Sequence, residues 1–436
     1  MKIMQLYERY SPFIKKYWLT GIVYGLIFFF FVSLYYLPFE MNKAGGSDDL
    51  SVINHAIKTP VHVILKNPYP IMESFYRPLV SILSKFLYFK EGAYPYRMFQ
   101  IVLILCLFMT NRAILKTWKV SHTYILLSYI VIISSPFASM AITWWADIGS
   151  LINMLMLSLC FLLISKGRTP IIYTIPTMLL ALLSKELGII ISIIYLGYYW
   201  FSKKKMRSAF IALSFIVLYF FVRYLVLESF VQTSTFTNHI VLFGKYTNGG
   251  TLNELYGDFP YPIYIYNVLS QFLSSLFSQP INGWFQFSLG YKYLIVAAQA
   301  SSSALVIGYL YVFGRKNILK SVFIWILLAW ATNILVSYQY PYWRNLPLVS
   351  VCFSILLPVS ISYLNKYIKN QNVLILKNTF LLLIICVFTS WFIIASKKVV
   401  FTQKLGENRI QYYRDNPTPN SQLKVYHETR NHYLKP

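Results

Sequence analysis

Apolar runs long enough to cross a bilayer recur along this 436-residue chain, separated by short polar turns. A hydrocarbon core of about 30 Å takes about 20 helical residues to cross. One such run is 18–37, and others stand near 98–117, 122–141, 148–165, 209–227, 291–313, 320–337, 345–363 and 374–395. Residues 170–201 are too long for one span and are interrupted at Ser184-Lys185-Glu186. The pattern there predicts two short helices that meet at the membrane surface. No run alternates in polarity as a barrel strand would. The expected fold is all-α: a polytopic helical membrane protein with about 11 transmembrane helices.

The polar stretches divide by sign. Lys2, Arg9, Lys15 and Lys16 precede the first span, which puts the N-terminus on the cytoplasmic side. Arg112, Lys116, Lys119, Lys166, Arg168, the cluster 203–207, Arg315, Lys316, Lys320, Lys366, Lys369 and Lys377 mark further inside turns. The outside face then carries two long loops, 38–97 and 228–290, and a polar C-terminal tail, 397–436. In this topology every Asp and Glu except Glu8 is outside. The eight basic residues of the tail run against the charge rule, which binds tails less tightly than short loops. The first loop has amphipathic character around Val52, Ile53, Ile57, Val61 and Leu65, which predicts helices lying in the interface with their apolar face in lipid. Residues 1–396 thus form one membrane domain.

Composition agrees with this class. The chain is 57% hydrophobic and 12% charged, against about 25% charged in a soluble domain. The net charge of +25 is spread over short loops, so it marks topology and offers no surface for nucleic acid. Cys106, Cys160, Cys352 and Cys386 lie inside apolar segments without CxxC spacing, as small core residues do. There is no P-loop, GxGxxG or HExxH, so nothing points to a nucleotide, a metal or any other cofactor.

Carboxylates are scarce, 14 against 39 basic residues, which makes Asp48-Asp49 conspicuous. The pair follows Gly45-Gly46, about ten residues beyond the first span. Adjacent acids raise the cost of ionising one another, so one can act as a proton acceptor. Asp147 and Glu186 fall at the same surface, as do the cations Arg77, Lys185 and Arg344. Ionisable groups at membrane depth usually face a cavity or pathway. The flanking aromatic residues Trp144, Trp145, Tyr340, Tyr342 and Trp343 suit an interface belt and can also stack on sugar rings. Outside the cytoplasm an activated sugar must arrive on a lipid carrier. Its transfer to a hydroxyl needs a base for the proton and cations for the leaving phosphate.

This arrangement resembles the GT-C superfamily of polytopic glycosyltransferases, which use lipid-phosphate-linked sugars. Asp48-Asp49 stands where members carry an acidic motif in the first outside loop. Tyr76-Arg77-Pro78-Leu79 looks like the RPL element of the O-mannosyltransferase-like branch, and Ser184-Lys185-Glu186-Leu187-Gly188 like its SKE-x-G element. Tyr342-Trp343-Arg344-Asn345-Leu346-Pro347 is similar to its later aromatic-Arg-x-Leu-Pro stretch. Trp145-Ala146-Asp147 occupies the place of a second outside acid. The chain has no large soluble domain, and in plan it resembles bacterial serotype-converting O-antigen glucosyltransferases. That resemblance implies an undecaprenyl-phosphate-glucose donor, a lipid-linked O-antigen of lipopolysaccharide as acceptor, inversion at the anomeric carbon and a site at the outer face of the inner membrane. It implies Asp48 or Asp49 as base, with Asp48 favoured, and Asp147 assisting. Arg77, Lys185 and Arg344 would hold phosphate, supported by Glu186, Tyr76 and Trp145. Two rivals remain: an O-antigen polymerase or ligase, which would draw on a histidine such as His55, His62 or His239, and a polysaccharide or lipid transporter.

Overall fold

The structure is a computed structural model that describes residues 21, 24–29, 47–66, 76–88, 94–166, 171–202, 206–227 and 347–367. The second long loop, the spans expected at 291–313, 320–337 and 374–395, the tail, and the stretch containing Arg344 lie outside the described residues. Among the described residues there is no strand. Three helices are long and apolar enough to cross a membrane: Pro95–Thr117, Trp145–Ser165 and Met206–Leu227.

The first loop is helical. Helix α1 (Ser47–Lys58), the single turn α2 (Val61–Ile64) and α3 (Pro78–Phe86) follow one another. The apolar positions of α1 in the amphipathic stretch are covered by protein, whereas Val61 and Leu65 further along it are exposed. Val52 and Ile53 of α1 and Val80 of α3 are buried in the main core. The apolar stripe of α1 packs on protein because α3 supplies a matching one. Lys85 of α3 fixes the pair by donating to the carbonyls of Ala56, Ile57 and Thr59 at 3.3, 3.1 and 2.9 Å. Those are acceptors that a helix C-terminus leaves open, and a cation suits the negative end of the helix dipole.

Helix α4 (Tyr94–Thr117) descends from this layer, and α5 (His122–Ser134) and α6 (Pro136–Thr143) return. The run expected as one span at 122–141 is therefore broken. Ser135 is extended (φ −68°, ψ 121°) because the ring of Pro136 disfavours helical backbone before it. A 3₁₀ turn, Trp145–Asp147, leads into α7 (Ile148–Ser165), which runs parallel to α4. The register is set by the Tyr96–Trp145 ring contact at one end and the Ser158–Asn111 hydrogen bond further down.

Helices α8 (Ile171–Ser184) and α9 (Gly188–Gly197) form the antiparallel hairpin that the interruption at Ser184 predicts. Thr174 and Tyr199 meet at 2.7 Å near its open end. Helix α10 (Met206–Leu227) rises beside it, and α11 (Pro347–Tyr367) packs on α5, α6 and α7. Outward-facing Phe210, Val217, Phe221 and Leu225 of α10 form the kind of surface that lipid covers. Cys160 and Cys352 are buried, whereas Cys106 faces outward from α4.

Two glycines set how closely these helices approach. A Cβ on Gly149 would lie 2.3 Å from the Ser184 carbonyl oxygen, and one on Gly188 would lie 2.2 Å from the Ala181 carbonyl carbon. Both obstacles are backbone, so the helices themselves must move. Gly149→Ala and Gly188→Ala are each expected to cost about 1–3 kcal/mol, the range for overpacking. Thermal unfolding of the purified protein in detergent checks this, with Gly197→Ala, whose Cβ meets nothing within 4 Å, as the neutral control.

Candidate functional site

The hairpin turn at Lys185 and Glu186 is the meeting point of the site. With the helix order above, the start of α4, the start of α7, the α8–α9 turn and the end of α10 share one end of the bundle. Arg112, Lys116 and Lys119 at the end of α4, Lys166 after α7 and Arg207 at the start of α10 share the other. Among the described residues the acids are thus gathered at one end of the bundle, where Arg77, Arg97, Lys185 and Arg223 accompany them.

Lys185 turns toward α7. Its Nζ lies 2.6 Å from Asp147 Oδ1 and 2.6 Å from Ser150 Oγ. Ser150 Oγ in turn donates to the same Oδ1 at 2.8 Å. Both charged side chains are only 7% exposed. The other oxygen, Asp147 Oδ2, is buried and accepts no hydrogen bond from the described residues. Asn153 braces the turn: its Nδ2 donates to the Lys185 carbonyl, and its Oδ1 accepts from Ser184 Oγ.

Glu186 turns the opposite way, toward α3 and α10. Arg77 stands at the N-cap position of α3 without capping it, and donates to Glu186 Oε2 through Nε at 3.1 Å and Nη2 at 2.7 Å. Arg223 of α10 places Nη1 3.8 Å from Glu186 Oε1. Burial works against the ionised carboxylate, but the charge and hydrogen bonds of Arg77, with the charge of Arg223, outweigh it and hold the Glu186 pKa below its ordinary value of 4.5. Tyr76, Leu182 and Tyr219 form an apolar patch beside this bridge. The Tyr76 hydroxyl donates to the Leu65 carbonyl at 3.1 Å, which ties the end of α2 to the start of α3.

Asp49, in the first turn of α1, is 1% exposed, and its Oδ1 accepts from the Ala146 backbone N–H at 2.7 Å. Asp48 stands beside it in the same turn. Trp145 Nε1 donates to Ser84 Oγ at 2.8 Å, and its ring centroid is 4.7 Å from that of Tyr96.

Asp49, Tyr76, Arg77, Trp145, Asp147, Lys185 and Glu186 are therefore brought to one end of the bundle. Arg77 and Lys185, expected to hold phosphate, are each engaged by a carboxylate. Glu186, expected to pair with Lys185 or another nearby cation, pairs with Arg77 and Arg223. Sequence reasoning missed Arg223, although an arginine inside the apolar run 206–227 is itself a signal, since charge at that depth is costly. It also missed Arg97, the last residue of the loop expected at 38–97. Arg97 is buried in the first turn of α4 and donates through Nη1 to Gln100 Oε1 at 3.0 Å and to the Thr143 carbonyl. Among the described residues no cluster of three or more His, Cys, Asp or Glu could hold a metal ion.

Removing one member of a buried ion pair leaves the other charge uncompensated, at a cost of about 3–5 kcal/mol. Lys185→Met is expected to destabilise the protein by that order, and adding Asp147→Asn is expected to recover most of the loss. Thermal unfolding of the two single variants and the double variant measures the coupling. Because the Glu186 pKa is depressed on folding, its contribution is complete above its ordinary value of 4.5 and fades as pH falls through the lower folded value. Glu186→Gln should therefore flatten the acid limb of the melting-temperature profile, whereas an unchanged limb would assign acid sensitivity elsewhere. Compared with known proteins, the chain matches no family model, no curated protein and no solved structure.

Proposed function

We propose that the chain is an integral membrane glycosyltransferase. It would move a sugar, glucose on the resemblance, from a polyprenyl-phosphate donor to a surface glycan such as lipid-linked O-antigen. The observation that carries the reading is convergence: four segments separated in sequence deliver Asp49, Arg77, Asp147, Lys185 and Glu186 to one end of an apolar bundle. That end lies opposite the basic turns, which under the positive-inside rule supports a site outside the cytoplasm, at the outer face of the inner membrane in this reading.

In this reading Asp48 or Asp49 takes the proton of the acceptor hydroxyl while its oxygen attacks the anomeric carbon. The carbon–oxygen bond to phosphate breaks, polyprenyl phosphate departs with the bonding pair, and the configuration inverts. Lys185 holds Asp147 in place. Arg77 would be shared between Glu186 and the donor phosphate, helped by Arg344, because a guanidinium fork can serve two anions. Arg223 keeps Glu186 ionised while Arg77 is drawn toward the donor.

The same charges at the end of broken helices also suit a transporter, whose sites use interrupted helices. Mass and linkage analysis of the surface glycan separates the readings. The comparison is between cells with the gene, without it, and with Asp48→Asn or Asp49→Asn. Loss of a single hexose in the deletion and in one point variant, with transfer reduced about 10²–10⁴-fold as loss of a general base predicts, supports transfer and identifies the base. Altered chain length with unchanged branches would assign a polymerase or ligase. An unchanged covalent glycan would assign transport.

A further inference from the structure

Three buried polar atoms around the start of α7 have no hydrogen-bond partner among the described residues: Gln100 Nε2, Trp144 Nε1 and Asp147 Oδ2. Native proteins leave few such atoms, and each one calls for an explanation. These three are neighbours through named bonds. Arg97 Nη1 donates both to Gln100 Oε1 and to the carbonyl of Thr143, the residue before Trp144. The Asp147 backbone N–H donates to the Trp144 carbonyl at 3.2 Å. Ala146, between Trp144 and Asp147, gives its N–H to Asp49. The orientation of the Gln100 amide is not arbitrary. Arg97 can only donate, so the carbonyl oxygen of Gln100 must face it and the NH₂ group must face away.

We propose that Gln100, Trp144 and Asp147 form a subsite for the hydroxyl groups of a neutral glycan, the acceptor in the transfer reaction on which this inference rests. The set is two N–H donors and one carboxylate acceptor. A phosphate would accept from both donors but be repelled by Asp147. A metal ion would suit Asp147 but be repelled by Arg97 and find two N–H groups where it needs lone pairs. A hydroxyl both accepts and donates, so a pair of neighbouring sugar hydroxyls satisfies all three atoms. The half-buried Trp144 indole adds an apolar face of the kind that sugar rings pack on. Ser150 and Lys185 occupy Asp147 Oδ1, which leaves Oδ2 to the glycan. The subsite adjoins the Asp49-bearing turn of α1, so a glycan seated there presents a hydroxyl near the base.

The test is sugar binding by the full chain in nanodiscs, with methyl α-D-glucoside, methyl α-D-galactoside and methyl α-D-mannoside as probes and thermal stabilisation as readout. At least one probe is expected to raise the melting temperature of the wild-type protein. Gln100→Leu and Trp144→Phe, which each remove one unpartnered donor, should weaken that binding about fivefold, the equivalent of one neutral hydrogen bond. Without sugar, Trp144→Phe should melt at or above the wild-type temperature, since an unpartnered buried donor has been removed, whereas Gln100→Leu also takes an acceptor from Arg97 and should melt lower. No stabilisation by any probe, or wild-type affinity in both variants, overturns the proposal. So does a lower melting temperature of Trp144→Phe without sugar, which would mean that its indole N–H serves the fold. No donor is present in this assay. Failure of sugar binding is therefore distinct from failure of hexose transfer to the surface glycan.

Discussion

Charges carried into a membrane bundle have to be neutralised in place, and the Lys185-Glu186 turn shows how this constraint organises the rest. Two consecutive residues of opposite sign cannot share one direction without leaving their other partners bare. Lys185 meets Asp147 below the start of α7, and Glu186 meets Arg77 and Arg223 on the other side. One turn therefore ties α3, α7 and α10 to the α8–α9 hairpin, and each tie is a charge pair whose separation would be expensive in a low dielectric. The positions of α3, α7 and α10 relative to the α8–α9 hairpin follow from it.

The pairs work only because the backbones come close. Gly149 lets the start of α7 touch the carbonyl of Ser184, which brings Asp147 within reach of a lysine in the next turn. Deeper in the bundle, Ser135 meets Ser350, and Asn111 meets Ser158 and Ser354. Helices in lipid gain little from burying apolar surface against one another, so small residues and interhelical hydrogen bonds carry more of the association. The polar seam and the charged end are one solution to one solvent.

A site made this way sits on helix termini and not on mobile loops. Asp49 is anchored on the Ala146 N–H, Arg77 directly precedes α3, and Asp147 leads into α7. Groups held on rigid elements keep their geometry through a reaction cycle. In the proposed transfer, the carboxylates are held while a donor phosphate competes for a guanidinium already engaged by Glu186. Binding then exchanges one anion for another and avoids uncovering a bare charge.

The helical class, the span boundaries of α4, α7 and α10, the hairpin at Ser184 and the gathering of the described acids at one end were legible in the sequence, because hydrophobic length and the scarcity of carboxylates are local features of the chain. The residue types of the site were legible for the same reason: Asp49, Arg77, Asp147, Lys185 and Glu186 stand out against an apolar background. Their pairing was not. That Lys185 chooses Asp147 and Glu186 chooses Arg77 depends on which helix faces which, a long-range matter that no local pattern encodes. The break at Pro136 carried a local signal in the proline itself. The burial of α1 against α3 did not, since an amphipathic helix has the same pattern whether lipid or protein covers it. Arg223 and Arg97 became part of the site only when the tertiary structure brought the end of α10 and the start of α4 beside residues far away in the chain.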